Sequence, residues 1–186
     1  MWWRELSKQN RRFGRATALA FAGLVSLGAG GCGFHPLYGE TASGANVGEV
    51  MKAVDVASIP SRTGQRLRNE LLFGTTGGGG TLAPVYKLEI ALRESTRNAL
   101  VTQQGLSSAQ VIELDAEYRL VRLKDNEVVF KAWSNSQASF NLVGSTGLAG
   151  STYGDTRAAV DAENRAATSL ADTIKTRLAA YFSSAA

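Results

Sequence analysis

Ile112-Glu113-Leu114-Asp115-Ala116-Glu117-Tyr118-Arg119-Leu120 alternates apolar and polar residues without a break. A strand turns successive side chains to opposite faces, so Ile112, Leu114, Ala116, Tyr118 and Leu120 point to a core while Glu113, Asp115, Glu117 and Arg119 point away. Upstream, Tyr86, Leu88, Ile90 and Leu92 oppose Lys87, Glu89 and Arg93 in the same way. Downstream, Lys124-Asp125-Asn126-Glu127 has the polar chemistry of a chain reversal, and Val128, Phe130 and Ala132 then resume an apolar face, which makes a hairpin. The parity slips near Val121 and Leu123, which fits either a bulge or a strand end covered on both faces.

Around these strands the spacing changes to that of helices. A first strand is expected over residues 50–59, ended by Pro60, with Ser61 or Thr63 capping a short helix that carries Leu67 and Leu71 on one face and stops at Gly74. The glycine run at 77–80 costs too much backbone entropy for a helix or strand and reads as a loop. Thr81-Leu82-Ala83-Pro84 follows it where a phosphate-binding loop needs Gly-Lys-Ser/Thr and a helix, which argues against nucleotide binding.

Residues 141–154 are rich in Gly, Ser and Thr and read as a loop; Asp155 or Thr156 then opens a long helix to about residue 182. Its apolar stripe is Val160, Ala167, Leu170, Ile174, Leu178 and Tyr181, flanked by Asp161 with Arg165 and Asp172 with Lys175. Strand, helix, three strands, helix predicts an α/β two-layer sandwich: a four-stranded mixed sheet with two helices packed on one face and charges on the other.

The chain of 186 residues has room for one domain. Its net charge of +4 divides unevenly: residues 1–31 hold Arg4, Lys8, Arg11, Arg12 and Arg15 against Glu5 alone, leaving fifteen basic and fifteen acidic residues beyond. No global field is left to attract nucleic acid. One cysteine excludes an internal disulfide, and with His35 as the only histidine no Cys/His zinc set can be assembled.

The N-terminus has the three parts of an export signal: a basic end over residues 1–15, an apolar run over 16–27, and small residues at 28–31 before Cys32. The run is shorter than the ~20 residues that span a bilayer, so a cleaved signal is expected in preference to a permanent anchor. Two processing outcomes fit. In lipoprotein maturation Cys32 becomes the lipidated first residue, although Ala29 stands three positions before it where Leu is usual and Leu27 lies two further back; in ordinary cleavage after Ala29-Gly30-Gly31, Cys32 stays a free thiol. This divides the chain into a signal peptide (1–31), a tether (32–48, with small polar residues over 41–48) and one domain (49–186).

Gly31-Cys32-Gly33-Phe34-His35-Pro36-Leu37-Tyr38-Gly39 resembles the processed N-terminus of the lipopolysaccharide-assembly lipoprotein LptE family, most closely its alphaproteobacterial branch. Gly64-Gln65-Arg66-Leu67-Arg68-Asn69-Glu70-Leu71 also looks like that branch's first helix. The resemblance implies a diacylglycerol and an N-acyl chain on Cys32, an anchor on the periplasmic side of the outer membrane, and a partner, the LptD barrel, which such proteins help to fold and to pass lipopolysaccharide to the cell surface. Phe34, Pro36, Leu37 and Tyr38 equally fit an apolar stub packed on the domain edge, and His35 has no acid or second ligand beside it in the sequence.

An interaction protein of this kind needs no reactive residue. Direct contact with lipopolysaccharide would use Arg or Lys near apolar surface, for which Arg93, Arg97 and Lys131 are the candidates; cations on an outward strand face more commonly only solvate it. Glu113, Asp115 and Glu117 share a face, yet no apolar surroundings raise a carboxyl pKa for acid/base work. A hydrolase is disfavoured by the absence of a Gly-x-Ser-x-Gly elbow and the isolation of His35, so no enzyme activity and no cofactor are expected. The alternative within the binding class is a periplasmic lipid-binding carrier lipoprotein without a barrel partner.

Overall fold

In a computed structural model, the structure describes residues 46–77, 82–101, 107–142 and 151–185. The element order is α1 (Val47–Lys52), β1 (Val54–Val56), α2 (Arg62–Thr76), β2 (Tyr86–Val101), β3 (Ser107–Arg122), β4 (Glu127–Asn141) and α3 (Ser151–Ala185). The strands form one sheet in the order β1-β2-β3-β4; β1 runs parallel to β2 and the other pairs are antiparallel. The expected mixed four-stranded sheet with helices against it is present, and a third, short helix joins the two foreseen.

That helix corrects the reading of residues 50–59. The Gly48 N–H donates to Asn46 Oδ1 at 2.9 Å, a side-chain cap, and Lys52 pairs with Glu49 at 2.8 Å. Val47 and Met51, four apart, are both buried, so the expected strand shrinks to Val54–Val56, preceded by a helix that starts at Val47. β1 pairs with β2 through Val54↔Tyr86, Asp55↔Lys87 and Val56↔Leu88.

Ser61 caps α2, accepting from the Gly64 N–H at 3.1 Å. The helix does not stop at Gly74. It runs to Thr76 and closes at Gly77, whose φ of 62° is the left-handed conformation that glycine adopts without steric cost, with its N–H on Phe73 O at 2.9 Å. Gly74 is instead a contact point between helices, because a Cβ there would lie 3.1 Å from Lys175 Cδ of α3. Gly64 is tighter still: its missing Cβ would fall 2.6 Å from Cγ2 of Ile59, which is fully buried. A glycine-to-alanine change inside a helix normally stabilises by up to ~1 kcal/mol, whereas overpacking a core costs ~1 to 3 kcal/mol. Gly64→Ala is therefore expected to lower the urea midpoint; a raised midpoint would show that Ile59 moves aside without cost.

Ile112, Leu114, Ala116, Tyr118 and Leu120 are all essentially inaccessible, as the alternation requires. The slip near Val121 is a bulge, and it lies in the neighbouring strand. Leu120 pairs with Phe130 but Val121 with Val128, leaving Val129 as the extra residue of β4. The bulge also corrects the face of Val128, which is 48% exposed while Val129 packs against the core. Beyond Ala132 the inner face of β4 carries two buried serines: Ser134 Oγ lies 3.1 Å from Tyr118 Oη, and Ser136 Oγ donates to Ala166 O of α3 at 2.7 Å.

α3 starts at Ser151, earlier than Asp155 or Thr156, and its 35 residues extend over roughly 52 Å. Ala167, Leu170, Ile174 and Leu178 are fully buried as expected, Val160 and Tyr181 only half so. Ala162, Ala166, Ala171 and Ala179 are buried too, and these small side chains let the helix lie close to the sheet. At its C-terminal end Tyr181 stacks on Phe130 (4.9 Å between centroids) and Phe182 meets Tyr86 (5.3 Å).

Candidate interaction face

The sheet face turned away from the helices is ordered by strand register into rows. Glu89, Arg119 and Lys131 form one; next come Ala91, Glu117 and Trp133, then Arg93, Asp115 and Asn135, then Ser95, Glu113 and Gln137, and last Arg97, Val111 and Ser139. With Lys87 and its register partner Asp55 from the next row, these rows carry five cations against five carboxylates, so the face is close to neutral.

Most of those charges neutralise one another. Arg119 donates to Glu89 at 2.7 Å and Lys87 lies 3.2 Å from the same carboxylate. Lys131 reaches Glu117 at 2.6 Å, while Arg97 donates to Gln137 Oε1 at 3.0 Å and stands 3.8 Å from Glu113. Solvent screens exposed pairs of this kind, so their effect is to set the local potential more than to hold the fold. Hydrogen bonding from Arg119, then from Lys87, holds the Glu89 carboxyl below the usual range, and Lys131 does the same for Glu117. Both carboxyls thus stay charged at neutral pH, in a state unsuited to general-acid work. Their pairs are present above the ordinary carboxylate range and are lost as pH falls through the lowered folded values. Lys131→Met is expected to return the Glu117 titration, followed by carboxyl-carbon NMR, to the ordinary range; an unchanged midpoint would assign the shift to another neighbour.

The three cations singled out in the sequence all lie on this face but do not converge. Lys131 shares the Glu89 row and Arg97 stands eight residues further along β2, a separation of about 27 Å by strand rise. Arg93 lies midway. It and Asp115, opposite each other across β2 and β3, make no side-chain hydrogen bond or ion pair among the described residues. Cys32 and His35, with the stub residues Phe34, Pro36, Leu37 and Tyr38, lie outside the described residues.

What sequence reasoning missed is Trp133. It falls on the odd, outward parity of β4 and is 55% exposed, with its carbonyl held by Arg177 Nη1 of α3 at 2.7 Å. Arg165 Nη2 likewise donates to Ser139 O at 2.9 Å, so two guanidinium groups occupy outer carbonyls of the edge strand β4, an arrangement that hinders pairing with a further strand. Beside Trp133 the small Ala91 leaves a hollow of about 420 Å³, lined also by Arg93, Asp115 and Glu117. A second hollow of about 300 Å³ adjoins it, sharing Ala91 and Glu117 and adding Glu89, Arg119 and Lys131. Among the described residues no group of three His, Cys, Asp or Glu side chains is placed to hold a metal ion, and no helix is long and apolar enough to cross a membrane.

The fold is shared with bacterial lipoproteins. A candidate lipoprotein from Caulobacter crescentus superposes with a TM-score of 0.58 at 18% identity, over 73% of this chain and 94% of that one. A minor lipoprotein from Acinetobacter baumannii superposes with a TM-score of 0.51 at 16% identity, over 70% and 94%. No family model and no curated protein matches the sequence. At these identities the likeness is one of fold, and it extends over nearly the whole of both known structures.

Proposed function

We propose that this chain is an outer-membrane lipoprotein, anchored on the periplasmic side through Cys32, that assembles with the LptD barrel and assists its folding and the delivery of lipopolysaccharide to the cell surface. The observation that carries the reading is the nine-residue stretch from Gly31 to Gly39, with its single cysteine, ahead of a domain whose fold is that of bacterial lipoproteins. Copurification of the barrel with the detergent-solubilised chain tests the partnership.

Lipopolysaccharide bears phosphates, to which Arg and Lys make charge-assisted bonds contributing ~1.5 to 3 kcal/mol each. Replacing Arg93, Arg97 and Lys131 together with glutamine is expected to weaken its binding at least tenfold, leaving thermal melting and barrel copurification essentially unchanged. Arg93→Gln alone should account for most of the loss, since Arg97 and Lys131 already neutralise Glu113 and Glu117. Added salt should weaken the wild-type interaction as well, and unchanged binding by the triple variant would move the phosphate contacts off this face.

A further inference from the structure

The geometry points to a glycan-binding subsite in the hollow between Trp133, Arg93 and Asp115, one that takes a pyranose ring of an oligosaccharide, with the adjoining hollow receiving the next sugar. Trp133 offers an exposed indole whose backbone is fixed by Arg177, so the ring sits on a rigid strand. A pyranose presents C–H groups on one face, and these pack against the electron-rich face of an indole. Its ring edge carries hydroxyl groups, each able to donate and to accept. Arg93 supplies only donors and Asp115 only acceptors, and both line the hollow without a side-chain partner among the described residues. Together they match neighbouring hydroxyls in both senses.

The dimensions agree. The hollow of about 420 Å³ exists because Ala91 is small in a row otherwise made of Glu117 and Trp133. It continues past Glu117 into the hollow of about 300 Å³ beside Arg119 and Lys131. A protein partner is less well matched: the centre of a protein interface is apolar, and in these rows Trp133 stands among charged and amide side chains. The subsite draws on the proposed function only for the identity of the glycan.

The test is a calorimetric titration of the full chain, with saturation-transfer NMR, using lipid-free oligosaccharide released from lipopolysaccharide by mild acid. Wild type is expected to bind and to transfer saturation from the Trp133 ring; Trp133→Ala and Asp115→Asn should each weaken binding about tenfold or more, while Trp133→Phe keeps most of it. Melting temperatures and barrel copurification should stay at wild-type values in all three. No binding by wild type, or equal binding by all variants, would overturn the subsite. It would also be overturned if Trp133→Ala released a copurifying protein while no oligosaccharide bound, which would make the hollow a protein contact. Loss of the barrel from wild-type preparations bears on the partnership alone.

Discussion

Ile174→Asp is expected to leave the domain largely unfolded at room temperature. Ile174 is completely buried, one turn from Leu170 and Leu178, which are also inaccessible to solvent. Removing an isoleucine from such a site costs ~2 to 5 kcal/mol, and an aspartate in its place adds the cost of desolvating or neutralising an unpaired carboxylate, several kcal/mol more. Domains of this size are stable by only ~5 to 15 kcal/mol in total. Thermal melting followed by circular dichroism should show the transition lowered by tens of degrees or missing, by the usual ~2 to 4 °C per kcal/mol for chains of this length. A wild-type melting curve would mean that α3 does not pack on the sheet through this face.

Cys32→Ser is expected to abolish lipid attachment completely. The modification forms a thioether, for which the sulfur of a thiol with a pKa of about 8.5 is the nucleophile, and a serine hydroxyl supplies neither that sulfur nor a comparable anion at neutral pH. Cys32 is the only cysteine in the chain, so no other residue can take its place. Intact-mass spectrometry of membrane-extracted protein should show wild type heavier by the acyl groups and the variant unmodified. An acylated serine variant, or a wild type carrying a free Cys32 thiol, would contradict the anchor and favour ordinary cleavage after Gly31.

The parts of the fold that were legible in the sequence are those where one residue's polarity decides its side. Each residue of β3 from Ile112 to Leu120 faces either core or solvent, and alternation alone placed every one of them. The first helix was missed because Val50, Ala53, Val54, Val56 and Ile59 look like a strand by composition; burial of Val47 and Met51 against other elements decides otherwise. Ser151-Thr152-Tyr153-Gly154 reads as loop for a similar reason, being polar and small, although it forms the first turn of α3. The bulge was legible as a disturbance near Val121 but not as an extra residue at Val129, since parity within one strand does not say which of two partners carries the insertion.

The candidate site shows the same boundary. Alternation put Arg93, Arg97 and Lys131 on one face, but distances across the sheet depend on how β2, β3 and β4 are aligned. Only that alignment sets Lys131 beside Glu117, separates Arg97 from Lys131 by eight residues, and puts Trp133 next to the gap above Ala91. A lone tryptophan in a polar stretch was the available signal. Its outward parity relative to Phe130 and Ala132 would have marked it as exposed.

The most direct measurement of the central claim is affinity purification of the full chain from detergent-solubilised envelope, with quantitative mass spectrometry of what accompanies it. A large outer-membrane barrel at equal stoichiometry, retained by Trp133→Ala and by the glutamine variants of Arg93, Arg97 and Lys131, is the expected result. Recovery of the chain with bound lipid and no barrel at all would contradict the account and favour a carrier that works without a partner.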